Sequence, residues 1–94
     1  MGLTNLSRSI DGLIAVVTGA GSGMGAATAK LFADQGAQVA AIDINAEAVQ
    51  QVVDEINDAG KVAHPWALDL ADPQAIDTVI ESVARHFWWY RSVD

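Results

Sequence analysis

The run Thr18-Gly19-Ala20-Gly21-Ser22-Gly23-Met24-Gly25 holds the residue types that can grip a phosphate. Glycines lack the side chains that keep a backbone at a distance, so a ligand oxygen can reach main-chain N–H groups directly. A helix starting at such a run adds its own free N–H groups and the positive end of its dipole, both of which attract an anion. An apolar stretch over residues 13–17 precedes the run and an alanine-rich stretch follows it. Strand, glycine turn and helix, in that order, make a pyrophosphate cradle. A bare Gly/Ser cluster would read as a flexible turn; the flanking elements and a well-spaced acid separate the two.

That acid is Asp43, which ends a second apolar run, residues 39–42, about 18 residues beyond Gly25. A carboxylate there can accept hydrogen bonds from both hydroxyls of an adenosine ribose, and it repels a 2′-phosphate. No Lys or Arg lies in the loop or directly after Asp43, so the residues favour NAD over NADP. The competing role for Asp43 is N-cap of a helix beginning near Asn45, a task Asn45 can perform itself.

The loop follows Thr-Gly-x-x-x-Gly-x-Gly and not Gly-x-Gly-x-x-Gly, since Met24 stands three residues after Gly21. With Asp43, and with Asp69-Leu70 after a third apolar run, this pattern resembles the short-chain dehydrogenase/reductase family over about residues 10–87. The resemblance implies that Gly19, Gly23 and Gly25 line the pyrophosphate, that Thr18 braces the loop, and that Asp69 and Leu70 flank the adenine. Gly21, Ser22 and Met24 in the loop, and Ile44 beside Asp43, complete the expected cofactor-binding set. Asp69 has an alternative as an ordinary turn residue before Asp72-Pro73. The resemblance further implies an Asn-Asn-Ala-Gly stretch, a Ser and a Tyr-x-x-x-Lys pair that perform the chemistry, and none of these lies within the 94 residues. Tyr90 has no lysine after it and Ser92 no base beside it. The expectation is the NAD(H)-binding portion of an oxidoreductase, binding NAD weakly and transferring no hydride alone. An inactive, self-associating α/β fragment without meaningful cofactor binding stays open as the alternative.

The elements that must hold these residues alternate regularly. Strand signals over residues 13–18, 38–43 and 62–68 alternate with helix signals over 23–35, from about 45 to 59, and from Pro73 onward, with Gly36 and Gly60 as stops. This is a βαβαβα unit, a truncated Rossmann-type α/β arrangement of three layers with parallel strand order 3-2-1. Pro65 cannot donate to a ladder and assigns the third strand to an edge. Val49, Val52, Val53 and Ile56 form a core face on the second helix, and Ile76, Val79, Ile80, Val83 and Phe87 a core stripe on the third. Trp66 is assigned to packing. The domain spans residues 11–87, preceded by a loose arm over 1–10 and followed by an atypical tail over 88–94.

Composition sets the outer limits. No run approaches the roughly 20 apolar residues of a membrane span, and residues 1–11 lack the apolar core of a secretory signal, so the expected setting is cytoplasmic. The absence of cysteine excludes disulfides, thiolate metal sites and a thiol nucleophile, and His64 and His86 are assigned structural or surface roles, the latter near a helix end. A net charge of −7 argues against nucleic-acid or anionic-membrane partners. With no fourth strand in sequence, the first strand's outer edge is expected to drive self-association, as a homodimer or higher homo-oligomer, a two-fold pairing giving a six-stranded sheet. The tail has its own explanation in the genetic code. Trp88-Trp89-Tyr90 is encoded TGG-TGG-TAY, and read one base later it becomes Gly-Gly-Ile when the tyrosine codon is TAT, which permissible codons continue as Asp-Leu-Leu. A shifted frame after Phe87 is therefore expected, with a deliberate fragment carrying a foreign tail as the alternative. Sequencing of the coding DNA decides, since a shifted frame must lead toward Asn-Asn-Ala-Gly.

Overall fold

A computed structural model of the chain describes residues 13–92. The arm over residues 1–10 therefore lies outside the described residues. Six elements alternate along the chain: β1 (Ile14–Thr18), α1 (Gly23–Asp34), β2 (Gln38–Asp43), α2 (Ala46–Asp58), β3 (Ala63–Ala67) and α3 (Pro73–Ser92). The strands form one parallel sheet in the order β1-β2-β3, with Val16 opposite Ala40 and Ala41 opposite Pro65. The three-layer α/β expectation holds, and Pro65 does lie on an edge strand.

The pattern of β2 explains its place. Val39, Ala40, Ala41 and Ile42 are all buried, because a central strand covered on both faces has no side to give to water. On one face Val39 and Ala41 pack with Ala29 and Ala33 of α1 and with Val49, Val52, Val53 and Ile56 of α2. Alanines at the α1 contact permit close approach to the sheet. On the other face Ala40 and Ile42 pack with Val79, Val83 and Phe87 of α3.

The third helix differs in one respect from its sequence pattern. Val79, Val83 and Phe87 are buried, but Ile76 and Ile80 are 40% and 61% exposed. Residues at i, i+4 and i+8 make a stripe only one side chain wide, and in α3 the row beginning at Val79 turns to the sheet. Ile76 and Ile80 lie on the adjoining row, beyond the sheet's cover.

The helix starts as expected: Gln74 N donates to Asp72 Oδ1 at 3.0 Å, just ahead of Pro73 at the first position. It runs through to Ser92, so His86 is more than a turn from the end, and its placement beside a helix terminus is corrected. Its ring instead stacks on His64 of β3, with centroids 4.1 Å apart. Trp66, assigned to packing, sits edge-on to His64 and donates Nε1–H to Ser82 Oγ at 2.9 Å.

Candidate functional site

The glycine loop joins β1 to α1 at the carboxyl end of the sheet, where ligands bind in open parallel sheets. Gly19 and Gly23 adopt φ of +65° and +59°, which L side chains rarely tolerate, and these two turns reverse the chain between strand and helix. Gly25 is required for a different reason. A Cβ there would stand 2.5 Å from the carbonyl carbon of Gly19 and nearer still to its oxygen, so the first turn of α1 can lie against the loop only without a side chain. Ala20 N donates to Ile42 O at 3.0 Å, tying the loop to β2 beyond the end of β1.

At the head of α1 the cradle keeps its donors available. Ser22 occupies the N-cap position with extended backbone, its side chain makes no capping bond, and no acidic side chain stands in the first turn. An anion approaching this end meets N–H groups and the positive end of the dipole with no competing carboxylate on the helix.

Asp43 ends β2 and reaches back toward the loop. Its Oδ2 accepts from Gly21 N at 2.8 Å and its Oδ1 from Asn45 N at 2.9 Å. These bonds, from Asn45 first and then Gly21, hold its carboxyl below the ordinary value of 3.8 against a smaller opposing effect of burial. The helix-cap alternative for Asp43 does not hold: Asn45 caps α2, its Oδ1 accepting from Ala48 N at 3.0 Å.

Beside Asp43 opens a groove of about 210 Å³ lined by Gly19, Ile42, Asp43, Ile44, Leu68, Asp69 and Leu70. Five of the residues singled out in the sequence therefore share one surface. Ile44 is 70% exposed at its mouth, an apolar side chain held out where a flat ring could rest against it. Asp69 meets both of its readings: it lines the groove, and its Oδ1 accepts from Ala71 N at 2.9 Å as a turn residue would. No lysine or arginine lines this groove.

Thr18, Met24 and Gly25 lie elsewhere. With Val16, Val17, Thr28 and Phe32 they line a second hollow on the outer side of β1. Gly21, Ser22 and Gly23 line neither hollow. The sequence reading missed Ile42 and Leu68 as walls of the first groove. Their adjacency to Asp43 and Asp69, at the ends of apolar runs, was the available signal.

Among the described residues no group of three or more His, Cys, Asp or Glu side chains is placed to hold a metal ion. No helix of theirs is long and apolar enough to cross a membrane.

Known proteins share this arrangement. The family model described as short chain dehydrogenase matches residues 13–94. The 2,3-dihydro-2,3-dihydroxybenzoate dehydrogenase of Bacillus subtilis (strain 168) is 38% identical over 79 residues, which are 84% of this chain and 30% of that protein. A metagenomic short-chain oxidoreductase solved with NADP superposes with a TM-score of 0.78 at 37% identity, covering 83% of this chain and 35% of the other. A short chain dehydrogenase/reductase from Burkholderia phymatum solved with NAD gives a TM-score of 0.79 at 29% identity, over 81% and 27%. The chain thus spans about a third of the length of these relatives.

Proposed function

The chain belongs to the short-chain dehydrogenase family, and from that premise we propose that its 94 residues form the part of an oxidoreductase that binds the adenosine and pyrophosphate of NAD. The observation that carries this reading is the meeting of Asp43 with the glycine loop across the groove, fixed by the 2.8 Å bond from Gly21 N. A ribose placed there would give its hydroxyls to a carboxylate that is ionised at neutral pH, and the pyrophosphate would lie over the loop and the first turn of α1. Adenine would sit between Ile44 and the Asp69-Leu70 turn.

Relatives solved with NAD and with NADP leave the choice of cofactor to local charge. Two carboxylates and no cation line the groove, which opposes an added 2′-phosphate and supports NAD. Binding by these residues alone is weak, because the nicotinamide half of the ligand lies beyond the groove they line. The residues that perform hydride transfer in the family resemblance are not among the 94, so we assign them no catalytic residue. Isothermal titration of NAD into the chain tests the proposal. Saturable heat that diminishes at least tenfold in apparent affinity, about 1.4 kcal/mol, in Asp43→Ala supports it; no heat at millimolar NAD refutes it.

For the 94-residue chain by itself, the proposed partner is a second copy. No strand pairs with the outer side of β1 among the described residues, Val16 there is 54% exposed, and the strand carries no charge, whereas the opposite edge is interrupted by Pro65. Light scattering at micromolar concentration is expected to report a dimer or higher oligomer that Val16→Lys dissociates. A monodisperse monomer contradicts this.

A further inference from the structure

We propose that Gly21 is a positioning residue: its N–H locks the Asp43 carboxylate, and this lock, rather than the carboxylate's charge alone, sets the discrimination between NAD and NADP. The proposal rests on the cofactor reading above and goes beyond it in assigning specificity to a residue that offers no side chain.

Both oxygens of Asp43 are tied to backbone from two separate segments. Oδ2 takes the N–H of Gly21 and Oδ1 that of Asn45. The Asn45 anchor is itself fixed, since Asn45 caps α2 through Ala48 N. An aspartate at a strand end would otherwise turn about its side-chain bonds and could swing aside for a bulky anion. Here turning away breaks a charge-assisted bond at each oxygen. An ionised carboxylate has about four acceptor positions, so two ribose hydroxyls can still be received while both tethers hold. A 2′-phosphate offers no donor and meets a negative group that cannot withdraw.

Space requires glycine at position 21. Its φ is not positive, in contrast to Gly19 and Gly23, so no backbone preference selects it. A Cβ at Gly21 would stand 2.9 Å from Asp43 Oδ2, 3.0 Å from its Cγ and 2.9 Å from the Ala48 Cβ. The carboxylate can turn aside, but Ala48 lies in α2 and cannot yield easily, so the loop must also draw back from the helix, and both movements part Gly21 N from Asp43 Oδ2. Any side chain at this position releases Asp43 from the loop.

The test combines cofactor titration with a measurement that needs no cofactor. Wild-type chain, Gly21→Ala, Asp43→Ala and the double variant are titrated with NAD and with NADP, their folds compared by far-ultraviolet circular dichroism. Wild type is expected to favour NAD by about tenfold or more, the loss of a charge-assisted bond setting that scale. Gly21→Ala narrows the ratio to about threefold or less, and in the Asp43→Ala background the same substitution leaves the NAD-to-NADP ratio unchanged, whatever it does to the two affinities together. Carbon NMR titration of the Asp43 carboxyl in the cofactor-free chain shows its pKa rising in Gly21→Ala. A folded Gly21→Ala with an unchanged cofactor ratio overturns the lock, as does an equal narrowing of the ratio with Asp43 absent or an unmoved carboxyl titration. Where Gly21→Ala alone does not fold, Gly21→Ala with Ala48→Gly removes one of the two collisions and is held to the same outcomes. A wild-type chain that binds neither cofactor refutes the cofactor reading instead, and the carboxyl titration still decides whether Gly21 holds Asp43.

Discussion

Replacing Gly25 with alanine sets two physical effects against each other with opposite signs. Gly25 stands in the first turn of α1, and glycine-to-alanine exchange inside a helix favours folding by about 0.8–1 kcal/mol. The new Cβ, however, would stand 2.5 Å from the Gly19 carbonyl carbon and 3.2 Å from Ala20 N. These are backbone atoms with no rotamer to move them aside. Optimal carbon contacts lie near 3.5–4.0 Å and the Gly19 oxygen stands closer than its carbon, so the Gly19-Ala20 segment must retreat by at least about 1 Å. Overpacking of this kind costs about 1–3 kcal/mol. The retreat also strains the bond from Ala20 N to Ile42 O, worth roughly 1 kcal/mol. Steric overlap therefore outweighs propensity, leaving a net loss of about 1–3 kcal/mol. At about 4–8 °C per kcal/mol for a chain of this size, thermal melting followed by circular dichroism should fall by roughly 5–20 °C. A Gly25→Ala variant that melts at or above the wild-type temperature would refute the close approach of α1 to the loop, and with it the geometry assigned to the cradle.

Two further expectations concern titration and packing. Because the Asp43 carboxyl is lowered in the folded chain, its contribution to stability is fully present above the ordinary value of 3.8 and is lost as pH falls through the lowered one; Asp43→Asn should therefore flatten the acid limb of a melting-temperature profile below the ordinary 3.8, and an unchanged limb would contradict the two backbone bonds. His64 is lowered as well, by burial first and by the neighbouring His86 second, so its neutral form favours folding and stability should fall as pH drops below the ordinary 6.5, a slope that His64→Gln removes. At the β3–α3 seam, Ser82→Ala takes away the acceptor of Trp66 Nε1–H and should cost about 1 kcal/mol. The same change in a Trp66→Phe background should cost clearly less, and equal costs in chemical denaturation would show that the bond contributes nothing.

Much of this arrangement is legible in the sequence because each strand and helix carries its own punctuation. Asn45 caps α2, Asp72 and Pro73 open α3, and Pro65 marks an edge strand, each from local chemistry that does not depend on distant partners. The continuous apolar run of β2 likewise announces a strand buried on both faces. What the sequence hides depends on rotation and on contact across the sheet. Helical spacing places Ile76 and Ile80 beside the buried row of α3, but the orientation of the helix on the sheet decides which row is covered. His64 and His86 stack because β3 and the later turns of α3 meet, and no spacing along the chain predicts that encounter. The site divides in the same way. Asp43 and the loop glycines stand out as residues, whereas the bond between Asp43 and Gly21 belongs to the folded chain alone.

The most direct test of the central claim is residue-resolved: nitrogen–proton NMR spectra of the chain recorded as NAD is added. With NAD in the groove, amide shifts are confined to the loop residues 18–25, to Asp43 and Ile44, and to Asp69 and Leu70, with the outward surface of α3 around Thr78 and Arg85 unmoved. Spectra unchanged at millimolar NAD, or shifts that gather away from the groove, would contradict it.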